Sequence, residues 1–195
     1  MSENRQKMEV HTSIYHITQE QITEELVMIT KAKSDMACFA ALYEKYYIRI
    51  FRFVYQRVDS ENTAADITSQ VFVNAMCRLK DYVFKGVPFG SWLYRIARNE
   101  VNQHFRKAHK ERTYYANTED FAGIADEIEE DRISEILPKM MEAVGRLDDD
   151  EIEMIEMKYF EQRPYKEIAD IFGITENNAK VKTFRILKKL KKTIT

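Results

Sequence analysis

Two segments of this chain concentrate the basic, amide and aromatic side chains whose types and spacing could do chemistry. Near the C-terminus, Tyr165, Ile168, Ala169 and Phe172 space a short two-turn helix. Gly173 supplies the left-handed residue that a tight turn between helices needs. Ile174 is an apolar turn residue, and Thr175 can cap the helix that follows. Ala179, Thr183, Ile186, Leu187 and Leu190 fall on its inward face. From Glu176 to Thr195 there are seven bases against one acid. This is the grammar of a helix-turn-helix, whose second helix enters the major groove. Asn177 and Asn178 stand at the end that meets base edges, where Asn can read adenine; Lys180, Lys182 and Arg185 follow, and Lys or Arg can read guanine. The later lysines suit phosphates. A basic helix end that merely complements the dipole has the same composition; the glycine turn favours the helix-turn-helix.

The second segment runs from Lys80 to Arg112. An aromatic-rich loop with Tyr82, Phe84 and Phe89 precedes a helix bearing Arg95, Arg98, Asn99, Asn102, Gln103 and Arg106. Between Tyr94 and Arg112 lie six bases and two acids. Bases beside aromatics and amides suit single-stranded DNA, with the backbone in a basic groove and unstacked bases against side chains. Phe89 and Trp92 read better as core, whereas Tyr82 and Phe84 stay open between core and DNA contact. A third feature is a polar stripe, Asp66, Gln70 and Asn74, at i, i+4, i+8; alone it reads as a solvated helix face. No Gly-rich phosphate loop or nucleophile elbow is present, and His11, His16, His104 and His109 lack zinc-ligand spacing with the two cysteines. An enzyme is not expected, nor is a metal or other cofactor.

The elements that must position these residues read as helices. Hydrophobic residues make up 45% of the 195-residue chain, enough for a packed core. Only five Gly and three Pro are present, too few turn formers for a sandwich or barrel. The net charge of −2 conceals the basic segments behind an acidic stretch, with eight acids and one base between Asn117 and Glu135. The expected fold class is all-α. A flexible polar arm over residues 1–20 leads into a helical domain over 21–112. An acidic linker over 113–134 then joins a second helical domain over 135–195. Thr18 and Gln21 have capping-box spacing. Asp59–Thr63 is a polar break before a helix from about Ala64 to Leu79. Asp81–Gly90 is a loop, and Ser91 a cap. Pro138 and Gly145 interrupt the first pattern of the second domain, and Asp148–Glu151 breaks it. Cys38 and Cys77 sit in apolar helical patterns and read as reduced core thiols. The polar N-terminus holds no signal-peptide run, and no stretch is long and apolar enough to span a membrane. A cytoplasmic protein is the expectation.

PFGSWLYRIARNEVN resembles the hallmark helix in the first domain of extracytoplasmic-function sigma factors of bacterial RNA polymerase. The stretch from RLDDDEIEMIEMKYFEQRPYKEIADIFGITENNAKVKTFRILKKLKK resembles that family's C-terminal domain. ACFAALYEKYY and DITSQVFVNA fit upstream, in the same order. The resemblance covers roughly Ile22 to Lys192. It implies a subunit that binds core RNA polymerase and directs promoter recognition, DNA melting and transcription initiation. Asp66, Gln70 and Asn74 would then lie on the surface that docks on the polymerase clamp helices, and the second domain on the flap. The loop with Tyr82 and Phe84 would accept a base flipped from the minus-ten element. Asn99, Asn102 and Gln103 would meet the melted strand, beside Arg95, Arg98 and Arg106. Asn177, Asn178, Lys180, Lys182 and Arg185 would face the minus-thirty-five element. An anti-sigma factor is a further partner the resemblance implies. Ser69-Gln70 departs from the family's usual Gln-Glu, and Val181 stands where a small hydroxyl residue is common. The alternative reading is a helix-turn-helix regulator that binds duplex DNA without polymerase; it leaves the Tyr82–Gln103 block unexplained.

Overall fold

The computed structural model describes residues 17–108 and 130–194, with side chains over 17–107 and 138–192. Residues 1–16 of the polar arm read over 1–20, and residues 109–129, which hold most of the linker read over 113–134, lie outside the described residues; Gln19 and Glu20, read as arm, open the first helix. Eight α-helices and no strand are described. Helix α1 spans Gln19–Ser34, α2 Ala40–Tyr55, α3 Glu61–Arg78 and α4 Phe89–Ala108. Helix α5 spans Glu130–Gly145, α6 Asp149–Ile155, α7 Tyr165–Phe172 and α8 Glu176–Ile194. The first unit buries one face each of α2, α3 and α4 against the others. Its centre is Leu42, Ile50, Val54, Val71, Phe72, Leu93 and Val101, each at most 1% exposed. The second unit closes on Met154, Met157, Ile168, Ile171, Ala179 and Ile186.

Local chemistry sets the element ends. The Thr18–Gln21 capping box forms as expected. Helix α3 begins a turn earlier than its apolar pattern, because Ser60 caps it through the Thr63 N–H. The Asp148–Glu151 break is a second capping box, so those residues start α6 rather than interrupt a helix. After Ile155 the chain continues as one wide turn over Glu156–Phe160. There the Glu161 N–H reaches back five residues to the Glu156 carbonyl. Helix α5 runs through Pro138, and its opening takes in residues 130–134, read above as linker. Gly173 adopts φ 66° and closes α7, as the turn requires. Thr175 Oγ1 accepts from the Asn178 N–H at the start of α8.

Further expectations need correction. Ser91 does not cap α4. The helix starts at Phe89, whose N–H donates to the buried Glu25 carboxylate of α1 at 2.9 Å. Gly90 therefore lies inside the first turn, and its need for glycine is close approach. A Cβ there would sit 2.6 Å from Tyr46 Cε1, well inside van der Waals contact. Cys77 is exposed and Cys38 half-buried; both are free thiols. Leu187 faces outward, because Ile186 takes the core position beside it.

Candidate nucleic-acid interface

Arg95, Asn99, Asn102 and Arg106 recur at i, i+4, i+7 and i+11, and so share one face of α4. Leu93, Ala97 and Val101 on the far side are fully buried and fix that helix against α2 and α3. Asn99 and Arg106 are exposed, and Asn102 and Gln103 are half-buried. Tyr82 is not an open platform for a base. Its ring is 8% exposed and packs edge-on to Phe89 and against Trp92. Burial pushes its phenol up to about 12. The core reading of Phe89 and Trp92 holds. Phe84, 37% exposed on the same loop, is the aromatic that remains accessible.

The second unit packs on the N-terminal half of α4 and on the loop before it. Arg98 is bound by Asp150 and by Glu153, the latter at 3.0 Å, and its guanidinium lies 4.2 Å over the Phe172 ring. Burial works against its charge, but the two carboxylates outweigh that and hold it above its ordinary value. Asp170 of α7 takes Lys85 at 2.7 Å and Arg95 at 3.6 Å. Lys166 donates to the Gly86 carbonyl at 3.0 Å. Arg163 stacks 4.2 Å over Tyr94. Deeper in, Arg57 at the end of α2 is 1% exposed and meets Glu156 at 2.9 Å and Glu153 at 3.8 Å. Sequence reasoning missed Arg57, Glu153, Glu156 and Asp170. The available signal was Arg57 itself, a cation one turn beyond Phe53 and in register with its buried stripe.

The other two faces stand apart from this junction. On α3, Asp66 and Gln70 are exposed and Asn74 half-buried. Gln70 Nε2 donates to Asn74 Oδ1 at 3.2 Å, and Asn74 Nδ2 to Glu100 of α4 at 2.8 Å. On α8, Asn177, Asn178, Lys180, Lys182 and Arg185 are all exposed, while Ala179 and Thr183 are fully buried beneath them. Lys180 is partly engaged, 2.6 Å from Glu176.

The sigma-70 region 2 family model matches residues 42–111, and the sigma-70 region 4 model matches residues 138–190. These two stretches cover more than half of the chain, one on each helical unit, in that order. The chain belongs to the sigma-70 family, in its extracytoplasmic-function group. Similar sigma factors include BldN of Streptomyces coelicolor, an extracytoplasmic-function sigma factor 28% identical over 166 residues. That match takes in 84% of this chain but only 63% of BldN. SigM of Bacillus subtilis, another of the group, is 27% identical over 156 residues, covering 77% of this chain and 91% of SigM. Among solved structures, CnrH in complex with the cytosolic domain of CnrY superposes with a TM-score of 0.53 at 19% identity. It covers 85% of this chain and 93% of that one, a likeness of fold. Region 2 of this sigma factor thus holds the α3 and α4 faces, and region 4 holds the helix-turn-helix. Among the described residues, no helix is long and apolar enough to cross a membrane.

Proposed function

We propose that this sigma factor binds core RNA polymerase, directs it to promoters and assists DNA melting. The observation that carries the reading is the pair of DNA-suited faces on separate units. One is the amide and arginine face of α4, beside a loop bearing the accessible Phe84. The other is the exposed basic helix of a helix-turn-helix. The first suits unpaired bases and the second a duplex. Asn99, Asn102, Gln103 and Arg106 with Phe84 meet the minus-ten strand; Arg95 and Arg98 join them once Asp170, Asp150 and Glu153 release them. Tyr82 supports that loop from the core side. Asn177, Asn178, Lys180, Lys182 and Arg185 face the minus-thirty-five element. Asp66, Gln70 and Asn74, on the helix behind α4, dock on the clamp helices, and the second unit meets the flap. An anti-sigma factor would act by stabilising the closed junction. The protein works in the cytoplasm, by binding, and uses no cofactor.

With a net charge of −2, the free chain gains little from phosphate neutralisation, so polymerase must supply the missing attraction and the spacing of the two faces. The test is selection from a duplex promoter library at one stated salt concentration, with and without bacterial core polymerase. Selection only with polymerase supports the reading. Equal selection by the chain alone makes it a stand-alone helix-turn-helix regulator. Asn99→Ala is expected to reduce strand opening, read by permanganate reactivity of unpaired thymines, while polymerase binding is unchanged. Lost polymerase binding would make Asn99 structural.

A further inference from the structure

Helix α8 turns Ala179, Thr183 and Ile186 into the core, each at most 4% exposed. The opposite line of the helix runs through Asn177, Val181, Phe184 and Lys188, spaced i, i+4, i+7 and i+11. The middle of that line is apolar. Phe184 is 69% exposed and Val181 38% exposed, although the helix around them is strongly basic. Single exposed apolar residues are ordinary on a soluble protein. A Phe and a Val side by side at the centre of a recognition helix occupy the positions that would meet base edges.

We infer that Val181 and Phe184 read thymine, by packing against its C5-methyl group in the major groove of the upstream promoter element. This rests on the promoter-binding reading above. Three features favour duplex DNA as the occupant of this patch. Lys182, Arg185 and Lys188 surround it with exposed positive charge, which complements phosphate. A helix fills the roughly 12 Å major groove, so its outermost line faces base edges and its flanks face the backbone. The thymine methyl is the one apolar group that a base pair shows there. The division of labour is then clear: Asn177 and Arg185 can make hydrogen-bond contacts, while Val181 and Phe184 select the pair by shape and dryness.

The test uses holoenzyme made from the full chain and bacterial core polymerase. It takes the duplex selected by the library and replaces each upstream thymine in turn by uracil, which lacks only the methyl. Affinity is expected to fall about fourfold at one or two positions, the effect of leaving one methyl unburied. In V181A/F184A the uracil effect should vanish, so that the variant binds the thymine and uracil duplexes equally. Both side chains are outside the core, so helical content should be unchanged; Phe184→Leu, which keeps an apolar tip, should retain the discrimination. Uracil tolerated at every position overturns the inference, as does a selected element with no A·T pair, or discrimination that survives in the double variant. A holoenzyme that selects no upstream duplex at all overturns the promoter reading itself along with this one.

Discussion

Glu25 joins three elements through one carboxylate. It accepts the Tyr46 hydroxyl of α2 and the Phe89 N–H that opens α4, and it lies 2.8 Å from Lys45. At 1% exposure it cannot be replaced by water. Glu25→Ala should therefore lower the unfolding free energy by about 3–5 kcal/mol, the scale for breaking a buried charged cluster. Tyr46→Phe leaves two partners in place and should cost only ~1–2 kcal/mol. Urea titrations of the two variants would show that order, and equal losses would mean that the carboxylate acts mainly as filler. Tyr82 gives a second expectation. Its phenol is pushed up to about 12, first by burial, then by Asp170 and Glu25 against Arg95. Below pH 10 the group is neutral whether the chain is folded or unfolded. Above that the unfolded chain releases its proton first, so stability declines between pH 10 and about pH 12. Tyr46 and Tyr94, also raised by burial, add to the decline. Tyr82→Phe should flatten it in urea titrations across that range, and an unchanged slope would show that Tyr82 loses its burial before it ionises.

At the scale of elements, hydropathy period and cap chemistry were nearly sufficient. Thr18 with Gln21, Gly173 and Thr175 each act where their types and spacing put them, because these devices involve neighbours within a few residues. The misreadings around the start of α4 share one cause, which is a partner far away in sequence. Ser91 has the right type for a cap, but Glu25, 64 residues upstream, takes the Phe89 N–H. Gly90 looks like a loop marker; its reason is the Tyr46 ring, packed where a Cβ would go. Tyr82 and Phe84 share one loop and look equivalent. Only the position of Trp92 and Phe89 decides that the first is core and the second accessible. The site was legible in the same measure. The α4 and α8 faces follow from helical period alone. That Arg98 and Arg95 are held by acids of the other unit needed the packing of α6 and α7 on α4.

For the whole molecule, the junction between the two units holds two arginines of α4, Arg95 and Arg98, against acids of the second unit. Arg57, Arg98, Glu153 and Glu156 form its ionic centre, with Glu153 fully buried. Glu153→Gln removes the charge that two arginines share, with little change in volume. The free protein should become more extended, with a larger radius of gyration in small-angle X-ray scattering, and its second unit more accessible to protease. An unchanged radius would mean that apolar packing of Met154 and Ile168 holds the units together unaided.

The double engagement of Asp170 by Lys85 and Arg95 has a thermodynamic corollary. A phosphate that binds a bare lysine liberates counterions from the nucleic acid, and their mixing entropy drives the association. Here the incoming phosphate also evicts a carboxylate, which must gather its own cations from solution. That uptake partly cancels the release. If this face captures DNA as proposed, the salt slope of that capture should be shallower than about 0.9 per phosphate contacted, the value for an unoccupied basic surface. Asp170→Asn should restore the steeper slope, and a slope unchanged in that variant would mean that the carboxylate plays no part in the exchange.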